Sequence, residues 1–384
     1  MEFTIEKLVY GGDGLARVDG RVALTPFVLP GETVQASAEP SKGGVLRGKL
    51  LDVINPSPLR ARPPCPYFTR CGGCQYQHID YTEQLTQKLS ILRESLERIG
   101  KISFDGEIKV VADTPWGYRN RIQVHIENGR VGYREHGSMK LCAISHCPIS
   151  SPKLNEAITK LNEAMPYVGR YEGTLELFTN EIDLQVNPSA RVTRRVRDLL
   201  DTLGTTMPVE YTGLRVSRNS FFQVNRFLLP KLVEATTGET SGSLAMDLYA
   251  GAGLFSSALA KRFTRVISVE AGASAHRDLV ENASRAGRAI EPHHTAVEEF
   301  LVGFFKTPDF ILADPPRAGI GKQAIAQLLR IHASRLTLVS CDPATLARDL
   351  AQLTASRYHI ERIVLIDLFP QTFHLETVVH LAAI

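Results

Sequence analysis

From about residue 210 to its end, the chain alternates short apolar runs with segments of helical periodicity: LAMDLYA, GLFSSALAKRF, RVISVE, SAHRDLVENASRAG, DFILADPP, KQAIAQLLRIH, LTLVSC and PATLARDLAQL. Four apolar strand candidates separated by helices cannot pair as hairpins. They require crossover connections and therefore predict an α/β domain with a doubly wound parallel sheet. In such sheets ligands bind outside the carboxyl ends of the strands. Glu270, Asp314 and Cys341 all fall at such ends.

At 384 residues the chain exceeds one ordinary domain, and its earlier part follows other rhythms. Residues 1–58 read as short alternating strands broken by GGDG, LPGE and SKGG, the pattern of a small β-barrel, and NPSPLRARPPCP reads as a linker. Residues 59–205 read as a mixed α+β domain. YTEQLTQKLSILRESLERIG spaces Leu85, Leu89, Leu92 and Leu96 as a helix with Gly100 as its C-cap. NRIQVHIENGRVGYRE alternates on both sides of Asn128-Gly129, a hairpin signal. TLELFTNEIDLQV reads as a further β segment, and SPKLNEAITKLNEAM as a helix. Residues 206–384 form the α/β domain. No apolar run approaches 18 residues and the N-terminus lacks secretory features, so no membrane span and a cytoplasmic location are expected.

A net charge of +3 neither requires nor excludes a polyanionic partner, but its distribution is uneven. Between residues 41 and 75, Lys42, Arg47, Lys49, Arg60, Arg62 and Arg70 face one acid, Asp52, and RVTRRVR at 191–197 adds four arginines. Such stretches suit a phosphate-bearing partner, although ordinary solvated charge has the same appearance.

Six cysteines in a reducing compartment point to metal binding or catalysis rather than disulfides. Cys65, Cys71 and Cys74 lie close together, with Cys147 far downstream. By spacing alone this set admits tetrahedral zinc or an iron–sulfur cluster, since the paired arms of a zinc ribbon are missing while a cluster tolerates a distant fourth ligand. Cys142 is a spare, expected to be inert. Cys341 stands alone at a strand end, where a cysteine is ordinarily a small hydrophobe.

MDLYAGAGLFSSALA places Asp247, Gly251 and Gly253 between a strand and its helix, and Glu270 ends the next strand where a ribose would meet a carboxylate. No third glycine follows at dinucleotide spacing. The turn resembles the first motif of S-adenosylmethionine methyltransferases more than a pyrophosphate-binding loop. DPPR at 314–317 makes a rigid loop able to hold a planar base, or simply a turn before a helix. Near the C-terminus, Glu376 follows His374 at the start of an apolar strand; burial there would raise its pKa toward that of a useful base, and His374 reads as structural.

SCDPATLARDL closely resembles the SC(N/D)PxTLARD signature of the RNA uracil-5-methyltransferases, and LFPQTFHLETVV resembles their C-terminal motif. DLYAGAGLF, VISVE, ADPPRAG and SFFQVN fit as well, over essentially the whole chain. The resemblance implies a Rossmann-like S-adenosylmethionine methyltransferase domain and methylation of carbon 5 of a uridine. Cys341 would add to carbon 6 and Glu376 would remove the carbon-5 proton. Gln223, Tyr249, Glu270 and Asp314 would line the S-adenosyl-L-methionine and uracil site, with Asp314 and Gln223 also touching the base. Asp342 stands where Asn is common, and HTAVEEF at 294–300 lacks the polar residue often found before that Val-Glu.

YGGDGLARVDG and VLPGETV make residues 1–58 similar to a TRAM domain, an OB-like RNA-binding barrel. Ribosomal RNA members of the family carry a [4Fe–4S] cluster in the same cysteine motif, which implies Cys65, Cys71, Cys74 and Cys147 as its ligands. The implied substrate is 23S ribosomal RNA, with the target uridine extruded from its stack and the enzyme a monomer. Tyr118, Arg119 and Asn120 are candidates for an RNA-facing wall. A transfer RNA substrate and an RNA-binding protein with an inactive methyltransferase scaffold are the competing readings; a scaffold would need neither Cys341 nor Glu376.

Overall fold

Eight strands form the largest sheet of the computed structural model, which describes residues 1–39, 44–168, 171–287 and 289–384. Lys42 of the basic stretch and most of the SKGG turn lie outside the described residues. Across the sheet the order is Ile290–His293, Phe263–Val269, Gly242–Leu248, Phe310–Ala313, Arg335–Ser340, Glu376–Ala383, Tyr358–Ile366 and Ile108–Val111. The first five run parallel, joined by helices that include Ala273–Arg285 and Lys322–Ile331. All four residues of Phe310–Ala313 are buried, which is why such central strands read as unbroken apolar runs. The order reverses at Gly242–Leu248, so a crevice opens at the carboxyl ends beside it.

Two strands depart from the alternating pattern. Glu376–Ala383 enters antiparallel between Arg335–Ser340 and Tyr358–Ile366. Ile108–Val111, from much earlier in the chain, adds parallel to the far edge of Tyr358–Ile366 and covers it. Helix Tyr81–Arg98, which precedes that strand in the chain, also joins this unit: Leu92 and Leu96 share one core with Leu336, Leu338, Leu346 and Leu350. The fully buried stripe of that helix runs Gln84, Lys88, Leu92, Leu96, while Leu85 and Leu89 are only half-buried. Gly100 does not take a left-handed conformation; a Cβ there would come within 2.8 Å of Leu96 O and 2.9 Å of Ala347 O, so close packing requires the glycine.

The N-terminal residues form a six-stranded sheet around Phe3, Ile5, Ala16, Ala23, Val28, Val34 and Ala36. The proline-rich segment after it is clamped. Arg60 donates from Nε and Nη2 to the two carboxylate oxygens of buried Glu32, 2.6 Å each, and from Nη2 to Phe27 O. This paired geometry fixes direction as well as distance.

Between these units lies a five-stranded antiparallel sheet, ordered Leu141–Ala143, Arg130–Arg134, Arg121–Glu127, Gly173–Thr179, Leu184–Pro188. Asn128 and Gly129, with φ of 52° and 71°, make the expected two-residue turn. TLELFTNEIDLQV proves to be two strands of a hairpin rather than one. The four arginines of 191–197 are all exposed. Among the described residues, no helix is long and apolar enough to cross a membrane.

Candidate active site

The turn after Gly242–Leu248 is held open by backbone conformations that favour glycine. Gly251 and Gly253 have φ of 56° and 90°, and Tyr249 shares the strain at 62°. A Cβ on Gly251 would meet nothing within 4 Å, so that backbone borders open space; at Gly253 it would come within 2.8 Å of Leu279. Glu270 braces the turn, accepting from Gly251 N at 2.9 Å and Gly272 N at 2.5 Å. Each carboxylate oxygen keeps a second lone pair for a ligand hydroxyl. Tyr249 Oη is buried without a hydrogen-bond partner. Asp247 is fully buried beneath the turn and accepts from Ser256 Oγ at 2.5 Å; burial pushes its carboxyl up to about 7.

Cys341 directly follows Arg335–Ser340, and the antiparallel register pairs Ser340 with Thr377. The ladder ends at that pair; Cys341 and Glu376 are the next residue on either side of it, and the Glu376 charge acts on the Cys341 thiol. Asp314 extends Phe310–Ala313 at the same end of the sheet. Burial is the main influence on all three groups. It pushes the Cys341 thiol up to about 11, with the Glu376 charge adding to it and Arg317 opposing. It raises Glu376 well above the usual carboxylate range, with Asp314 adding and Arg317 opposing, and it raises Asp314 as well. Two acids and a thiol in one desolvated corner favour neutral forms, and Arg317 on the DPPR loop is the nearby cation.

The end of the SCDPATLARD motif shapes that loop. Asp349 Oδ2 accepts from Ile320 N at 2.7 Å, and Arg348 Nη2 donates to Ala318 O at 2.8 Å. Between them Gly319 has φ of 82°, and a Cβ there would lie 2.4 Å from Asp349 Oδ2. Asp342 caps helix Pro343–Thr354 by accepting from Ala344 N and Thr345 N. Asparagine could do the same through its side-chain oxygen.

Sequence reading missed the groups that hold the loop leading into Glu376. Lys88 and Asp367 form an ion pair at 2.6 Å with both side chains fully buried, and Tyr81 Oη donates to the same carboxylate. Lys88 also donates to Phe369 O, Gln84 exchanges hydrogen bonds with Gln371, and Gln75 N and Tyr76 N both donate to Gln371 O. The available signal was the spacing of Gln84 and Lys88, which continues that of Leu92 and Leu96. Gln223 is buried above Asn120, whose Nδ2 donates to Gln223 O, and Asn225 Nδ2 donates to Leu368 O. The expected RNA-facing wall is different from its reading: Tyr118 is wholly buried with its hydroxyl on Pro370 O, and Asn120 is buried too. His374 is packed between Phe369 and Phe373.

Cys65, Cys71, Cys74 and Cys147 line one cavity of about 550 Å³, together with Arg119. Among the described residues no three are gathered closely enough to hold a single metal ion. All four are free thiols, a soft sulfur donor set of the kind an iron–sulfur cluster takes. Gly73 N already points at Cys71 Sγ, 3.4 Å away, and the buried Arg119 Nε has no partner. A buried donor without an acceptor is costly, and the sulfurs of a cluster would supply one. Cys142 is buried beside this cavity without lining it.

Residues 293–384 match the family described as tRNA (Uracil-5-)-methyltransferase, and residues 1–51 match the TRAM domain. The chain is 31% identical, over 98% of its length and 97% of the relative's, to an uncharacterized RNA methyltransferase of Aquifex aeolicus. It is 29% identical, over 97% of its length and 94% of the relative's, to the 23S rRNA (uracil(1939)-C(5))-methyltransferase of Vibrio parahaemolyticus. The crystal structure of Pyrococcus abyssi tRNA (uracil-54, C5)-methyltransferase in complex with S-adenosyl-L-homocysteine matches along the whole of both chains, with a TM-score of 0.81 at 25% identity. The expected architecture, an N-terminal TRAM domain and a methyltransferase α/β sheet, is thereby borne out.

Proposed function

The chain belongs to the RNA uracil-5-methyltransferase family, and from that premise we propose that it converts a uridine of 23S ribosomal RNA to 5-methyluridine through a covalent Cys341 intermediate. The observation that supports this reading is the register pairing Ser340 with Thr377, which puts the next residue on each strand, Cys341 and Glu376, at the carboxyl end of the sheet, where the Glu376 charge acts on the thiol. Bound S-adenosylmethionine supplies the electrophilic methyl group and a sulfonium charge. Gln223, Tyr249, Glu270 and Asp314 are its proposed binding residues, and Asp314 and Gln223 also hold the uracil.

Cys341 Sγ adds to carbon 6, which moves the ring's electron pair to an enolate and makes carbon 5 nucleophilic. After carbon 5 has gained its methyl group, Glu376 takes the proton from carbon 5; the pair of electrons re-forms the 5,6 double bond and expels the thiolate. Glu376 must be ionised to take that proton; Arg317 favours that form against burial and Asp314, and the raised pKa makes the carboxylate a stronger base once ionised. Burial keeps the Cys341 thiol largely protonated at neutral pH, so shedding its proton before it adds to the ring has a cost. Arg317 opposes that cost.

Cys65, Cys71, Cys74 and Cys147 are the proposed ligands of a [4Fe–4S] cluster, which would give the loop between them a rigid anionic centre facing Arg119. Phosphate contacts from the N-terminal sheet and from Arg191 to Arg197 would add affinity without sequence information.

Mass spectrometric mapping of 5-methyluridine in ribosomal and transfer RNA, from cells with and without the gene, tests the substrate. Loss of one site in 23S RNA is expected. Loss only in transfer RNA would move the substrate to the class named for the Pyrococcus relative. A gene copy carrying Cys341→Ala should fail to restore the site; full restoration would sink the covalent route.

A further inference from the structure

The N-terminal sheet sends one side chain into the candidate active site. In the turn that follows Lys7–Leu8, Val9 N donates to Asp13 O and Gly12 N donates to Val9 O. Gly11 and Gly12 there have φ of 109° and 96°. Tyr10 leaves this turn, and its Oη donates to the carbonyl oxygen of Cys341 at 3.0 Å, across 331 residues of sequence. Its ring meets Phe373 edge-on, with centroids 5.3 Å apart, and Phe373 packs on His374, two residues before Glu376.

That carbonyl has no regular partner. The strand ladder ends at Ser340, and the first helical N–H, from Leu346, goes to Asp342 O. A half-buried carbonyl needs a donor, and a side chain from the other end of the chain provides it. The bond fixes the peptide plane joining Cys341 to Asp342, and with it the direction of Cα–Cβ at Cys341.

We propose that Tyr10 is a positioning residue for Cys341, so that the N-terminal sheet completes the active site in addition to contacting RNA. The proposal rests on Cys341 being the nucleophile. Misplacement of a reacting atom by about 1 Å can cost roughly a hundredfold in rate, so one ordering hydrogen bond is enough to matter.

Tyr10→Phe keeps the ring against Phe373 and removes only the donor. With RNA carrying 5-fluorouridine at the target, the single-turnover rate of covalent adduct formation at saturating RNA should fall roughly tenfold, as expected for loss of one ordering hydrogen bond. RNA affinity and melting temperature should stay at wild-type values. Hydrogen exchange in residues 340–345, measured without RNA, should become faster. An unchanged adduct rate, or a loss confined to RNA affinity, would overturn the proposal. If the variant melts lower, the rate on its folded fraction still decides. Wild-type protein that forms no adduct would instead overturn the functional reading. The exchange measurement then judges Tyr10 alone, and unchanged protection would count against it.

Discussion

Two regions of the molecule bury thiols, and they surround them differently. Burial pushes Cys341 up to about 11 and Cys71 and Cys74 up to about 12. At Cys341 the other influences are the carboxyls of Glu376 and Asp314 and the guanidinium of Arg317. At Cys71 they are the Gly73 backbone N–H, which lowers it, and the neighbouring thiols, which raise it. A thiol facing a carboxyl has somewhere to exchange a proton, whereas thiols facing each other form a soft ligand set. Burial therefore does not separate a nucleophile from a ligand; the company each thiol keeps does.

The largest effect expected from this contrast is at Cys341. Cys341→Ser should reduce 5-methyluridine formation by about 10³-fold or more, measured by mass spectrometry of the product RNA, while leaving the iron content of anaerobically prepared protein intact. Cys71→Ser should do the reverse to the metal: iron near four per chain and the brown colour should be lost. Wild-type protein that is colourless and carries one zinc would collapse the distinction.

Lys88→Met leaves Asp367 charged and buried without its partner, and should lower stability by about 3 kcal/mol in urea denaturation. A loss near zero would mean that the loop before Glu376 is held by its amide contacts alone. Glu376→Gln should move the pH midpoint of Cys341 alkylation downward from about 11, because the Glu376 charge raises the thiol. An unmoved midpoint would show that the two groups do not sense each other. Cys71 alkylation should not respond. The smallest effect is Cys142→Ala, which removes one buried sulfur beside the cysteine cavity and should cost about 1 kcal/mol without changing the methylation rate.

Much of the architecture was legible because its signals are local. Apolar runs, the glycine turn and the strand ends carrying Glu270, Asp314 and Cys341 can be read within a dozen residues of sequence. Helix Tyr81–Arg98 was also legible, but its buried face was not fully so: Gln84 and Lys88 occupy core positions for the sake of Gln371, Asp367 and Phe369, some 280 residues away. Tyr118 read as part of an RNA-facing wall; it is buried with Cys74 and Ile149, and its hydroxyl meets Pro370 O, 252 residues away.

By itself, then, the sequence determined the strand and helix alternation, the open glycine turn and the presence of a cysteine and a carboxylate at the starts and ends of strands. Local propensity and turn chemistry suffice for these. Only the tertiary structure decided that Glu376–Ala383 enters antiparallel beside Arg335–Ser340, that Ile108–Val111 closes the sheet and that Tyr10 reaches Cys341. Those facts depend on register and on packing between distant segments, where a shift of one residue turns every side chain to the opposite face.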